Sequence, residues 1–140
     1  MKKTTIKQLL IATIAIISLS TFNSCEKDEG KKPSIEFKTD AGYVSGNQTI
    51  AKGAAFVVGI KASKSEKKDV LKTINVSYSY DGAATTTTYS NDGIDASQED
   101  NYDHDFALTA RNQTGTERWI FTVSNKDGII NSVEFTLTVN

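Results

Sequence analysis

From residue 35 to the C-terminus, apolar and polar side chains alternate one by one, and no stretch holds a 3.6-residue period. Ile35 and Phe37 share a parity, as do Phe56, Val58, Ile60 and Ala62. The same alternation runs through Ile74, Val76, Tyr78 and Tyr80, and again through Phe106, Leu108 and Ala110. It returns in Trp119, Phe121 and Val123, and in Val133, Phe135, Leu137 and Val139. Successive side chains of a strand point to opposite faces, so each run specifies a strand with one wet and one buried face. A helix-based fold is excluded for this region.

Turn chemistry separates the runs. Asp81-Gly82 is a two-residue hairpin signal, Ser124-Asn125-Lys126-Asp127-Gly128 is a longer glycine-closed turn, and Asn112-Gln113-Thr114-Gly115 divides two more runs. Ala83 to Tyr89, with Thr85 to Thr88, is β-branched but has little to bury and reads as an edge strand. Six core strands and one edge in about 108 residues predict an all-β chain, an immunoglobulin-like antiparallel β-sandwich of about seven strands. Strand order stays open, because small barrels share this alternation. A single cysteine excludes an internal disulfide and a Cys-rich zinc module.

The N-terminus follows different rules. Lys2, Lys3 and Lys7 precede an uncharged apolar run from Leu9 to Leu19. As a helix that run would span about 16 Å, half the thickness of a bilayer core, so it reads as a secretory signal and not as a membrane span. Thr21-Phe22-Asn23-Ser24-Cys25 follows it closely and resembles a bacterial lipoprotein signal. That resemblance implies cleavage before Cys25 and acylation of the cysteine, with several acyl chains anchoring the protein in a membrane. Residues 1–24 are then the signal peptide, 25–33 the lipidated cysteine and a polar tether, and 34–140 the sandwich domain. Lys27-Asp28-Glu29 resembles the surface-export signal of Bacteroidetes-type lipoproteins, which implies the outer face of the outer membrane. Residues 115–128 and 132–139 likewise resemble the last two strands of Ig-like domains in such surface lipoproteins, a largely uncharacterised family.

Charge narrows the function. The chain has 16 Lys+Arg and 17 Asp+Glu; losing Lys2, Lys3 and Lys7 with the signal leaves 13 against 17, a net of −4. There is no clustered basic footprint for nucleic acid. The single histidine, His104, lies between Asp103 and Asp105, but strand neighbours face opposite ways, and its parity with Phe106 predicts a partly buried structural role. No nucleophile elbow, phosphate loop or zinc motif occurs, so a non-catalytic protein is expected. Two features invite binding. Residues 91–105 hold six carboxylates, of which Asp92, Asp95, Glu99, Asp100 and Asp103 are calcium-ligand candidates in a loop; otherwise no cofactor is expected. Tyr43, Tyr89 and Tyr102 fall outside the core runs and are candidates to stack on a sugar, whereas Trp119 is expected inside. The expected function is a lipid-anchored surface module recognising a polysaccharide or an outer-membrane protein partner. The alternative is a structural or spacer subunit of a surface assembly, with calcium stabilisation compatible with either.

Overall fold

Each alternating run becomes a strand because only paired strands satisfy its backbone while burying one row of side chains. The computed structural model describes residues 30–140. Among these are eight strands: β1 (Ser34–Phe37), β2 (Gln48–Ile50), β3 (Ala55–Ser63), β4 (Leu71–Tyr80), β5 (Thr87–Gly93), β6 (Asn101–Thr109), β7 (Gly115–Asn125) and β8 (Ile130–Val139). One 3-10 turn, Ala96–Gln98, joins β5 to β6. Cys25, Lys27, Asp28, Glu29 and residues 1–24, expected to be a signal peptide, lie outside the described residues.

The strands form two sheets, a three-stranded one in the order β1-β3-β6 and a five-stranded one in the order β2-β8-β7-β4-β5. The chain is an immunoglobulin-like β-sandwich. Four pairings are antiparallel along β1-β3-β6 and β7-β4-β5, a fifth joins β7 to β8, and β2 pairs with β8 in parallel. That eighth strand, short and weakly apolar, was not expected from the alternation.

The core has the predicted parity. Phe56, Val58, Ile60 and Ala62 of β3 face Ile74 and Val76 of β4, Trp119, Phe121 and Val123 of β7, and Phe135, Leu137 and Val139 of β8. Phe121 is its centre: Phe37, Phe106 and Phe135 lie with ring centroids 5.9, 5.4 and 6.3 Å from it. A buried polar link ties two connections together. Asn125 Nδ2 donates to Asp69 Oδ2 at 2.5 Å, and Asn125 Oδ1 accepts the Ile129 N–H at 2.8 Å. Burial of both residues is compatible with their polarity because these bonds satisfy them.

The connection between β4 and β6 departs from expectation. Asp81 and Gly82 both take positive φ, 52° and 75°, and Ala83 N–H closes the turn on Tyr80 O at 2.9 Å. The turn is as expected, but pairing resumes only at Thr87, so the edge strand is Thr87–Gly93 and not 83–89. The acidic segment is not one loop. Its ends belong to β5 and β6, and only residues 94–100 connect them.

Candidate functional site

The five-stranded sheet is wider than the sheet packed on it, and β5 at its edge has no fully buried residue. Val76 pairs with Ser90 but Ser77 pairs with Thr88, so Tyr89 is an extra residue bulged out of register. A bulge bends its strand and re-aims a side chain. Here the Tyr89 ring turns to the core side and meets Trp119 edge-on, with centroids 5.6 Å apart at 71°. Trp119 lies 5.2 Å from Tyr78, and Tyr78 lies 5.0 Å from Tyr80. The result is a continuous chain of four rings, Tyr89–Trp119–Tyr78–Tyr80. Its two ends reach solvent, Tyr89 at 52% and Tyr80 at 39% exposure, while Trp119 is only 3% exposed.

Polar groups hold this chain from below and from one end. Glu117, fully buried, accepts the Trp119 Nε1–H at 3.1 Å and the Arg111 backbone N–H at 2.5 Å. The Arg111 guanidinium sits 4.9 Å from the Tyr80 ring centroid. It is fixed by a bidentate pair to Asp81, 2.8 Å from Nη1 and 2.5 Å from Nη2, and by the carbonyls of Gln113 and Thr114. Gly115 makes room for it, since a Cβ there would lie 1.6 Å from Arg111 Nη2, at a φ of 144° that disfavours side chains in any case. The Arg111 guanidinium and then the Thr116 N–H hold the Asp81 carboxyl down at about 2. Burial, followed by neighbouring Tyr78, pushes the Tyr80 hydroxyl above its ordinary value, so it remains a neutral donor at physiological pH. The arrangement offers two apolar ring faces with polar tips on a rigid support.

The other two tyrosine candidates lie elsewhere. Tyr102 is 7% exposed and belongs to the core. It stands inside β6, with the parity of Phe106, and not in a loop; burial, then Asp92, pushes its hydroxyl up to about 12. Tyr43 is partly buried, donates to Asp105 Oδ2 at 2.9 Å and carries Lys38 Nζ 5.5 Å from its ring centroid. It therefore serves an ion-pair cluster on the outer side of the three-stranded sheet. Tyr89 alone of the three joins an exposed aromatic surface.

The calcium candidates are not brought together. Asp103 pairs with Lys38, Asp100 with Lys64 at 2.6 Å, and Glu99 with Lys72, while Asp105 also holds Lys38 at 2.7 Å. Asp92 lies on β5 in the other sheet, and Asp95 caps the 3-10 turn with its backbone carbonyl. Among the described residues, no three of His, Cys, Asp and Glu converge on one point. Three lysines, Lys38, Lys64 and Lys72, thus offset the like charges of the segment. His104, expected to be partly buried, is exposed. Its ring contacts Tyr102 and Phe106 at 5.9 and 4.8 Å while both flanking aspartates turn outward to Lys38.

Tyr78, Tyr80, Arg111 and Glu117 were not read as site residues from sequence. The available signal was the position of Tyr80 directly before Asp81-Gly82, where a strand runs out from under the sheet that covers it.

No protein-family model matches the chain, and no curated protein matches it. Solved structures do. A superoxide reductase (neelaredoxin) from Ignicoccus hospitalis is 11% identical, with 79% of this chain and 81% of that chain covered and a TM-score of 0.52. A β-glucosidase from Listeria innocua, solved in complex with isofagomine, is 10% identical over 78% of this chain and 16% of that one, at a TM-score of 0.50. A CARDB domain from Pyrococcus furiosus, solved with di-metal ions, is 14% identical over 82% and 99% of the two chains, at a TM-score of 0.48. At such identities the likeness to the superoxide reductase and the β-glucosidase is one of fold alone, and activity does not follow from fold.

Proposed function

We propose that this chain is a non-catalytic, lipid-anchored surface module that binds a glycan through the ring chain at the β4–β5 edge. One observation carries the reading. Tyr80 and Tyr89 are exposed at the two ends of an aromatic chain whose middle members are packed into the core. Exposed rings on a rigid base lose little conformational freedom on binding, which favours affinity. Two separated rings suit a ligand of at least two sugar units. Acylation at Cys25 would hold the domain on the membrane, with the polar residues that follow it as spacer.

The test is titration of the soluble chain from residue 26 with a panel of neutral and acidic polysaccharides (glucan, mannan, galactan, polyuronate). Binding by one of them is expected, with about a tenfold loss for Tyr89→Ala and again for Tyr80→Ala, equivalent to about 1.4 kcal/mol each. Binding unchanged in both variants would remove the platform from the reading. No binding across the panel, with a neighbouring protein co-purifying from detergent extracts, would favour the structural subunit instead. Anchoring is tested separately: Cys25→Ala protein should leave the membrane fraction.

A further inference from the structure

The outward surface of the five-stranded sheet is almost without charge. Apart from Lys72, which is out of register at the start of β4 and pairs with Glu99, the outward positions of β8, β7, β4 and β5 carry one cation and one anion, Arg118 and Glu134, and these pair with each other at 2.5 Å. Hydroxyls fill most of the rest, several bonded along the sheet, such as Thr122 to Ser132 at 2.8 Å. Two isoleucines also stand there, Ile120 and, at 55% exposure, Ile130. The outward surface of the three-stranded sheet is the opposite, with Glu36, Lys61 and Asp103 side by side in the ladder. Depletion of charge at the centre of a patch is one part of the compositional mark of a protein interface.

We infer that this surface is where a second copy of the chain docks, sheet against sheet, about a two-fold axis. Self-complementarity of charge selects the occupant. A two-fold contact places each patch on itself, so a patch of one sign would repel its copy. Here Arg118 of one copy meets Glu134 of the other, and the two pairs close a ring of alternating charge. Size agrees: at about 3.4 Å per residue and about 4.8 Å between strands, the five strands present about 650 Å² of sheet, or about 1,300 Å² for the pair, within the range of specific interfaces. Tyr80 and Tyr89 lie on the core side of the sheet and stay free, so this inference stands independently of the glycan reading.

The experiment is sedimentation equilibrium on the soluble chain from residue 26, which keeps both sheets and the core cluster of the described residues. The mass is expected to double as concentration rises through the micromolar range. Thr122→Glu, which adds an unpaired carboxylate from each copy within the contact, should keep the chain monomeric with an unchanged circular dichroism melt. Arg118→Glu should weaken the dimer at least tenfold, and Arg118→Glu with Glu134→Arg should restore it. A monomeric mass up to about millimolar concentration overturns the inference, as does a dimer that Thr122→Glu leaves intact. The polysaccharide titration serves as the independent readout, since Thr122→Glu should not change it.

Discussion

Arg111 and Asp81 link the β4–β5 turn to the β6–β7 connection, and their contribution depends on pH. The Asp81 carboxyl ionises at about 2 in the folded chain, against an ordinary value of 3.8. A lowered folded value means the bond contributes fully above the unfolded value and is lost as pH falls toward the folded one. The melting temperature of Asp81→Asn should therefore lie below that of the parent at about pH 6, and the gap should close toward about pH 2. A gap independent of pH would show that the carboxylate is not the source. Gly59 sets a second condition at this scale. A Cβ there would lie 2.5 Å from Cδ of Lys38, whose aliphatic stem crosses over Gly59 so that its ammonium reaches Asp103 and Asp105. Gly59→Ala should cost about 1–3 kcal/mol in urea unfolding, as overpacking does, even though the new methyl group is apolar.

At the level of elements, parity was legible and pairing was not. Tyr80 apart, the core strands turn inward the rows that their alternation names, because period two needs no knowledge of the partner. Removing the central ring, Phe121→Ala, should accordingly destabilise by about 3–5 kcal/mol, measurable as a lower denaturant midpoint with an unchanged slope. Tyr80 shows where parity stops informing: it has the core parity of Ile74 and Val76 yet is exposed, since burial also requires a strand opposite. The bulge at Tyr89 was invisible for a related reason. A bulge is a property of two strands in register, and nothing in Thr88-Tyr89-Ser90 announces it. Tyr102 failed in the other direction. Carboxylates around it outweighed its parity with Phe106, although one face of an edge strand can be fully charged while the other packs into the core.

Across the whole molecule, charge is sorted by sheet. Six carboxylates close in sequence looked like a cation site because sequence gives proximity along the chain and not direction. Strand geometry sends Asp103 and Asp105 outward to Lys38, and Asp92 to the other sheet. Millimolar calcium should leave the melting temperature of the soluble chain unchanged, and EDTA should do the same. A shift with calcium that Asp92→Asn abolishes would contradict the paired arrangement. The two-sheet architecture was legible as a class, but the split into three and five strands depended on β2, whose three residues carry almost no pattern.

That short strand gives the domain a mechanical character. β2 runs parallel to β8, pairing Gln48, Thr49 and Ile50 with Leu137, Thr138 and Val139. Backbone bonds from Lys52 to Asn140 and from Asn140 to Ile50, 3.1 Å each, extend the contact, and Thr136 donates to Asn47 Oδ1 at 2.7 Å. Tension drawing β2 toward the N-terminus and β8 toward the C-terminus slides these strands lengthwise past each other. All the bonds between them then bear load together, whereas an antiparallel closing strand would peel away one bond at a time. Tension applied across β2 and β8 is therefore met at this seam by bonds loaded in shear.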